Sequence, residues 1–431
     1  MMPDSWPQGG PGERRSMCYG PAMGEDVAPE VTRRDLLRAL ALGSVAVGLA
    51  GCGAPLSPSP TARASPTTRA SAARSAAASA GASAATPARP TPVPSAVVGM
   101  TLREKIGQLL VVGFRGLAAS KTSPVGRAIA AGELGGIVLF DRNIASPDQV
   151  ADLTDGLAQL APAASPLLVA LDQEGGRVAR LGPSRGFPAV PSQKSVGARD
   201  EAYAAIVYNA MATTLSDARI NLNLAPVVDL NVNATSPAIG ALDRSFSADP
   251  AVVSAMARAA IRAHHGHGVL TTIKHFPGLG SAVANTDVAV ADVSKTWRDT
   301  ELQPYRDLVG GDADCVMVGH MINKGLDPKY PASLSHATVD VLLRGDLGWQ
   351  GPVVTDDLQA AAITRRYKRA DAIAGALGAG VDLLLFGSAG SDPTFYTALV
   401  DSIEALVASG EIEEARIDES VARVALLRAQ L

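Results

Sequence analysis

The sequence predicts an α/β protein with a single (β/α)8 TIM-type barrel over residues 98–431, and three observations lead to that fold class. Short apolar runs recur eight times, and most are continuously apolar, as expected of parallel strands covered on both faces. Segments with helical periodicity separate them, as at 251–264 and 369–377. Polar residues follow the strand ends. Eight strands alternating with helices over roughly 300 residues favour a barrel over an open doubly wound sheet.

The predicted strands and the polar residues beside them define a candidate site. In chain order the strands are 109–112, 136–140, 167–171, 222–227, 269–273, 315–318, 352–355 and 382–386. Chemically capable side chains come directly after the third to seventh strands: Asp172, Asp229, Lys274, His275, His320, Asp356 and Asp357. Because the loops after the strand C-termini build the active site of a parallel barrel, we expect these residues to surround one mouth.

Composition and motifs exclude several classes of protein. The formal net charge of -4 argues against broad binding of nucleic acid. No Gly-x-Gly-x-x-Gly follows a strand, and neither a phosphate-binding loop nor His-Glu-x-x-His occurs, so we expect no organic cofactor and no metal. Cys315 lies alone in an apolar run and is predicted to be a small core residue rather than a nucleophile.

The first 97 residues are predicted to direct export of the protein and to tether it to the membrane. Within residues 1–52, paired arginines at Arg33 and Arg34 precede a short apolar run, which is typical of a twin-arginine export signal. The run ends in Leu-Ala-Gly-Cys at Cys52, which resembles a bacterial lipobox and implies cleavage before Cys52 and lipidation of its thiol. An ordinary secretory signal with a chance cysteine is the alternative.

Residues 53–97 are rich in Ala, Ser, Pro and Thr and have little apolar bulk to bury, so we expect a disordered linker. The three segments together predict an exported protein that is lipid-anchored to the extracytoplasmic face of the cell membrane.

Several ordered motifs in the body resemble glycoside hydrolase family 3, and in particular its single-domain β-N-acetylglucosaminidases. The resemblance covers the chain from about residue 102 to its end. It is carried by the sequences at 171–178, 223–229, 243–246, 274–278, 317–320, 331–335 and 353–358, which include Leu-Asp-Gln-Glu-Gly-Gly-Arg-Val, Lys-His-Phe-Pro-Gly and Val-Val-Thr-Asp-Asp-Leu. Their order and spacing make the resemblance specific.

The resemblance implies roles for individual residues. Asp356 matches the catalytic nucleophile, although an aspartate at this point could also cap the following helix, a role open to Asp357. Four residues match positions that hydrogen-bond the sugar: Asp172, Arg244, Lys274 and His275. The alternative for these four is a buried salt-bridge network that only shapes the mouth. Asp229 and His320 are each expected to be a sugar ligand or, equally, a residue that supports the site or packs in the core.

One loop departs from the family pattern. Where the resembling enzymes have an Asp-Ser/Thr-His triplet that supplies the acid/base, this chain has Asn285, Thr286 and Asp287. Asp287 is predicted to act directly as the acid, with Asn285 as its hydrogen-bond partner and with burial raising its pKa. Weakened chemistry and a purely sugar-binding protein are the two other outcomes. No C-terminal domain that could supply an acid is expected.

The leading hypothesis is a cell-envelope β-N-acetylhexosaminidase that acts on wall-derived glycans. A sugar-binding lipoprotein without activity is the alternative, and glycosyl transfer or phosphorolysis on the same scaffold is a third. Each has an N-acetylglucosamine-containing carbohydrate as its ligand, and a monomer is expected.

Overall fold

The computed structural model describes residues 99–431, which form a closed barrel of eight parallel strands with helices outside it. In chain order the strands are β1 Leu110–Gly113, β2 Gly136–Leu139, β3 Leu168–Leu171, β4 Leu222–Asn223, β5 Leu270–Phe276, β6 Cys315–Val318, β7 Val353–Thr355 and β8 Leu384–Phe386. Their order around the sheet is β8-β1-β2-β3-β4-β5-β6-β7.

The barrel closes between its seventh and eighth strands. A parallel bridge joins Val354 to Leu383, and the backbone N–H of Thr355 donates to the carbonyl of Leu383 at 3.0 Å. On the other side β8 pairs with β1, with Leu110 opposite Leu384. The ring therefore has no free edge, and the predicted (β/α)8 fold is confirmed.

Helices follow the strands and cover the ring. The α-helices are α1 Leu102–Gln108, α2 Pro124–Ala130, α3 Pro147–Ala158, α4 Gln193–Gly197, α5 Glu201–Asp217, α6 Pro250–His265, α7 Gln303–Leu308, α8 Ala361–Thr364, α9 Arg369–Ala379, α10 Phe395–Ala408 and α11 Glu414–Arg428. A π-helix spans Ala337–Asp346, and short 3-10 helices span Asp141–Asn143, Pro183–Arg185, Gly240–Leu242, Asp299–Leu302 and Ala332–Leu334.

Local sequence sets where several helices begin. Thr101 and Glu104 form a capping box at α1, and the carboxylate of Asp200 accepts from the N–H of Tyr203 at the start of α5. Proline occupies the first turn of α2, α3 and α6, where its missing N–H costs no hydrogen bond. The residues of β1, β2 and β3 are all buried, as a sheet covered on both faces requires. Within residues 99–431 no helix has the length and apolar character needed to cross a membrane.

Two predicted strands have different bounds. β4 is shorter than predicted and ends before Pro226, which has no backbone N–H to donate to the ladder. β5 continues to Phe276, so Lys274 and His275 lie within the strand and not after it, which corrects the sequence prediction. The ladder with β6 shifts register between Lys274 and Phe276, and an irregularity of this kind re-aims side chains at a barrel rim.

The sequence analysis missed a small hairpin that follows β3. Its strands, Gln173–Gly175 and Val178–Ala179, pair antiparallel across Gly175 and Gly176, which have φ of 98° and 59°. Both values lie in the left-handed region that favours glycine, which explains why this tight turn contains a Gly-Gly pair. The predictions for the signal region, Cys52 and the linker at 53–97 lie outside the described residues.

Candidate active site

The ammonium group of Lys274 lies at the centre of the barrel mouth between two carboxylates. Its Nζ is 2.7 Å from Asp172 Oδ1 and 2.7 Å from Glu174 Oε1. Asp172 follows β3 directly, and Glu174 lies two residues further on, so both side chains share one face of the extended chain. Lys274 retains one N–H for a ligand, since an ammonium has three. The alternating charges explain why a lysine that is 2% exposed stays ionised.

Arg244 extends this network across the mouth. Its Nε and Nη2 donate to the two oxygens of Glu174, each at 2.8 Å, and its Nη1 donates to the carbonyl of Ala238 at 2.8 Å. Burial opposes the charge on Glu174, but Arg244 and then Lys274 outweigh it and lower the pKa of Glu174 to about 2. Burial likewise works against Asp172, whose pKa the charges of Lys274 and Arg180 hold well below its ordinary value.

His275 is held in one tautomer by its two neighbours. Arg244 Nη2 lies 3.3 Å from His275 Nε2 and can only donate, so Nε2 is the acceptor. Nδ1 then carries the proton and donates to Asp229 Oδ2 at 2.6 Å. Asp229 is fully buried, and its other oxygen accepts from the N–H of Leu279 at 2.6 Å. Asp229 therefore orients the imidazole and anchors the loop that follows β5.

Asp356 stands at the end of β7 with its side chain partly buried at the mouth. Its N–H donates to the carbonyl of Val318 at 3.0 Å, and its Oδ1 accepts from the N–H of Asp357 at 2.8 Å. Burial alone would raise the pKa of Asp356, but the positive charges that His320 and His275 carry when protonated lower it, as does the amide of Asp357. Asp356 is therefore favoured as a carboxylate, the form that a nucleophile requires.

Asp287 lies on the loop at 277–291, near enough to Asp356 for the two carboxyl groups to interact electrostatically. The loop tip is docked by backbone hydrogen bonds onto the start of α8: the N–H groups of Ala361 and Ala362 donate to the carbonyls of Asp287 and Thr286, each at 3.1 Å. The side chain of Asp287 is exposed and not buried as predicted, but the groups around the mouth partly desolvate its carboxyl, and this desolvation together with the negative charge of Asp356 raises its pKa. Asp287 therefore holds its proton more tightly than an ordinary aspartate, which is the direction that a general acid requires.

Asn285 has a local role beside Asp287. Its side-chain oxygen accepts from the N–H of Asp287 at 2.9 Å, which makes an Asx turn at the loop tip. Its side chain also interacts with the Asp287 carboxylate and lowers the pKa of Asp287, although less than desolvation and Asp356 raise it.

Two further residues support the Asp356 strand end. Burial lowers the pKa of His320, and its Nε2–H donates to the carbonyl of Asp357 at 2.9 Å while Ser333 donates to its Nδ1 at 2.7 Å. The carboxylate of Asp357 accepts from the N–H groups of Gln359 and Gly387, each at 2.9 Å. Asp357 thus joins the end of β7 to the end of β8, and it does not cap a helix as the sequence analysis suggested.

The structure brings Asp172, Arg244, Lys274, His275, Asp356 and Asp287 to one mouth. It shows that Asp172, Lys274 and Arg244 are joined through Glu174 in a salt-bridge network, to which His275 is hydrogen-bonded. Sequence reasoning assigned no role to Glu174, which binds both cations. The signal was present, because Asp172 and Glu174 are two residues apart at a strand end. Cys315 is buried, and burial raises the pKa of its thiol, so it is not placed to react.

Two aspartates whose pKa values are shifted in opposite directions, beside a ring of hydrogen-bonding groups, can act on a sugar acetal. One carboxylate can attack the anomeric carbon while the other carboxyl protonates the leaving oxygen. Within residues 99–431 no group of three or more His, Cys, Asp or Glu side chains is arranged to hold a metal ion.

Comparison with known proteins agrees with this geometry. The model of the glycosyl hydrolase family 3 N-terminal domain matches residues 101–427. A protein named β-hexosaminidase A from Pseudoalteromonas piscicida is 30% identical over 381 residues, which is 78% of this chain and 62% of that protein.

Two solved structures are also similar. A family 3 β-N-acetylglucosaminidase from Paenibacillus has 36% identity and a TM-score of 0.71 over 77% of this chain and 62% of its own. A β-N-acetylhexosaminidase from Beutenbergia cavernae has 33% identity and a TM-score of 0.70 over 77% of this chain and 98% of its own. The chain thus spans under two thirds of the length of two of these three relatives, and nearly all of the third.

Proposed function

The chain belongs to glycosyl hydrolase family 3, and from that premise we propose that it is a retaining β-N-acetylhexosaminidase that removes terminal β-linked N-acetylglucosamine. The observation that carries the proposal is the pair Asp356 and Asp287 at the barrel mouth, with the pKa of the first lowered and that of the second raised. A double displacement needs these two states together.

The reaction proceeds in two displacements. In the first, the carboxylate of Asp356 forms an ester with C1 while the glycosidic bond breaks, and the proton of Asp287 goes to the leaving oxygen. In the second, ionised Asp287 takes a proton from water, the water oxygen bonds to C1, and the ester bond to Asp356 breaks. Both carboxyl groups return to their starting states, and the released sugar keeps the β configuration.

The network on the far side of the mouth holds the sugar. Asp172 accepts from hydroxyl groups, while Arg244 and the remaining N–H of Lys274 donate to them. The carboxylates of Asp172 and Glu174 keep both cations ionised and fixed in place before the sugar arrives. This arrangement supports binding of a neutral, hydroxyl-rich ring.

The test is hydrolysis of 4-nitrophenyl β-N-acetylglucosaminide by the purified protein and by Asp356→Ala. We expect turnover by the native protein and a loss of at least about a thousandfold in the variant, because the nucleophile is gone. Equal rates would end the assignment of Asp356. Saturable binding of N-acetylglucosamine with no release of nitrophenol would instead favour the sugar-binding protein, which the missing Asp-His pair keeps as the second candidate.

We further propose that the protein is exported, anchored by a lipid at Cys52 and acts on wall-derived fragments. The sequence of residues 1–97 supports this, through the paired arginines, the lipobox-like Leu-Ala-Gly-Cys and the polar linker. Expression with radiolabelled palmitate should label the native protein in the membrane fraction and leave Cys52→Ser unlabelled. Equal labelling of the two, or a native protein without label, would contradict the anchor.

A further inference from the structure

A recess of about 180 Å³ lies between the loop after β1 and the loop after β8. In the order of the ring β1 is opposite β5, so this recess is across the barrel from the loop that carries Asp287. Its volume is below the range of about 300–1,000 Å³ for drug-sized ligands, so it suits a smaller molecule. None of the residues that line it belongs to the sugar-binding network or to the pair Asp356 and Asp287.

The floor of the recess is apolar apart from one hydroxyl. Phe114, Val125 and Ala389 line it and are buried. Tyr396 also lines it and is only 3% exposed, and within residues 99–431 its hydroxyl makes no hydrogen bond and is not fully enclosed. Because the hydroxyl of a tyrosine buried to this degree normally has a hydrogen-bond partner, this one is available to a ligand in the recess.

The start of α10 brings unused N–H groups to the same place. Pro393 and Tyr396, on either side of the first residue of this helix, line the recess. The hydroxyl of Thr394 donates to Asp392 and does not cap the helix. In the described part of the chain the N–H groups of Tyr396 and Thr397 make no hydrogen bond. The first N–H groups of a 14-residue helix carry partial positive charge, so they favour a carboxylate.

Arg115 places a full positive charge on the rim formed by the loop after β1. Within residues 99–431 it forms neither an ion pair nor a hydrogen bond. Its neighbour Arg142 donates to the carbonyls of Phe114 and Gly387 and to no carboxylate in that part of the chain. Burial and then the charge of Arg115 lower the pKa of Arg142, so the two guanidinium groups are close enough to repel each other. This rim therefore attracts negative charge.

Asp392 places a negative charge on the rim formed by the loop after β8. Its Oδ1 accepts from the N–H and the hydroxyl of Thr394 at 2.8 and 2.7 Å. These hydrogen bonds, with a smaller contribution from the charge of Arg369, lower the pKa of Asp392 and keep it ionised at neutral pH. Asp392 and Arg115 line the same recess but form no ion pair with each other, so the space between the two charges is open to a molecule that carries both.

We propose that this recess binds a small amino acid in its zwitterionic form. Arg115, the hydroxyl of Tyr396 and the start of α10 donate to its carboxylate. Its ammonium group donates to Asp392, and its side chain packs on the apolar floor. A simple anion would leave Asp392 without a partner, a simple cation would leave Arg115 without one, and a neutral molecule would leave both. The site is independent of the proposed function, since none of these residues holds the sugar.

The test compares alanine with two molecules that each carry one of its charges. Propionate has the same carbon chain without the ammonium group, and ethylamine lacks the carboxylate. Their dissociation constants are measured by saturation-transfer NMR on the full-length protein and on Arg115→Gln, Asp392→Asn and Tyr396→Phe. Asparagine keeps the oxygen that accepts from Thr394. Lys121→Gln is the matched control, because Lys121 is an exposed cation on the same loop as Arg115 but does not line the recess.

We expect alanine to bind saturably and about tenfold more tightly than propionate or ethylamine, since each of these lacks one charge-assisted contact. Arg115→Gln and Asp392→Asn should each weaken alanine binding about tenfold, and Asp392→Asn should leave propionate binding no weaker. Tyr396→Phe should weaken alanine binding about threefold, as for one hydrogen bond, and Lys121→Gln should change nothing.

Two results would overturn the site itself: no saturable binding of alanine, or equal affinity for alanine in the native protein and in both charge variants. Propionate binding as tightly as alanine would overturn the assignment of a zwitterion.

Discussion

At the scale of single residues, the chemistry depends on what surrounds two aspartates. Asp356 faces imidazoles, a backbone N–H and the charge of Lys274, whereas Asp287 faces Asp356 and a partly desolvated mouth. The same side-chain type therefore has a lowered pKa at one position and a raised pKa at the other, the two directions that the proposed nucleophile and acid require.

Asp287→Asn tests the acid with two leaving groups. Nitrophenolate departs readily without a proton, whereas a sugar alkoxide does not, so we expect the rate on chitobiose to fall about a hundredfold or more and the rate on the aryl glycoside to fall far less. The measurement is kcat/KM for both substrates. Asp155→Asn on α3 is the matched exposed control. Equal losses on the two substrates would exclude Asp287 as the acid.

The pH profile gives a second test at this scale. Asp356 must be ionised, so activity falls as the pH drops through its lowered pKa; Asp287 must be protonated, so activity falls as the pH rises through its raised pKa. The combined change Asn285→Asp and Asp287→His should move the alkaline limb of kcat/KM upward, because an imidazole titrates near about 6.5. An unmoved alkaline limb would mean that another group sets it.

Sequence reasoning about single residues identified a site where a residue type rarely occurs for structural reasons alone. Lys274 beside His275 at a strand end indicated a charged site, since lysine is rarely buried without a partner. It could not decide between sugar binding and a salt-bridge network, because both need the same residues. Nor could it find that Asp229 orients His275, since that contact joins β4 to β5 across 46 positions of sequence.

At the scale of elements, the loop bearing Asp287 is positioned by the start of α8. Ala361 is the first residue of that helix, and its N–H donates to the carbonyl of Asp287. The helix does not need this N–H for its own hydrogen bonds, so it is free to hold the loop. The short segment that follows Asp356 in the sequence thus also holds the loop that carries Asp287.

Ala361→Pro removes the N–H that holds the Asp287 loop while leaving the helix able to form. Proline is tolerated at a first helical position, and Ala360 already has the extended conformation that precedes proline, with φ -60° and ψ 149°. We expect the helix to persist, the docking bond to be lost and kcat to fall about fivefold, as for one hydrogen bond. Ala361→Ser keeps the N–H and is the control. Equal kcat for the two variants would show that the bond does not position Asp287.

The strands were predictable as elements because buried parallel strands are continuously apolar. Their ends were less predictable where polar residues continue the ladder. Lys274 and His275 broke the apolar run, and the prediction stopped at residue 273, but the strand continues to Phe276. Burial of those two side chains depends on Asp172, Glu174 and Asp229, which come from other strands and are not readable locally.

At the scale of the whole molecule, a network of ion pairs stabilises the closure of the barrel just before its last strand. Asp382 is fully buried and lies 2.6 Å from Arg344, 3.3 Å from Arg416 and 3.1 Å from Arg423. It also accepts from the N–H of Val353 at 2.9 Å. This carboxylate ties the π-helix and α11 to the closure of the ring.

Asp382→Asn should lower the free energy of unfolding by about 3–5 kcal/mol, because it leaves buried arginine charge uncompensated. Burial opposes ionisation, but the three arginines hold the pKa of Asp382 below its ordinary value, so its contribution is complete above about pH 4 and is lost as the pH falls further. Urea unfolding measures the loss, with exposed Asp401→Asn as the control. A loss no larger than that of Asp401→Asn would contradict this role.

The ring of eight strands was readable from the sequence as a whole, because strand and helix signals alternate at regular spacing. The closure was not, since it depends on Asp382 and three arginines that come together only in the folded chain. Activity per folded molecule should survive the Asp382 change, because its contacts lie outside the mouth.

The central claim is that the carboxylate of Asp356 bonds to C1 of the sugar, and trapping that bond tests it most directly. The protein is incubated with a 5-fluoro-N-acetylglucosaminyl fluoride, which forms the covalent intermediate rapidly and releases it slowly, and is then digested and mapped by mass spectrometry. We predict one added fluoro-N-acetylhexosaminyl group on the peptide containing Asp356. A label on any other residue, or inactivation-free turnover without a label, would contradict the account.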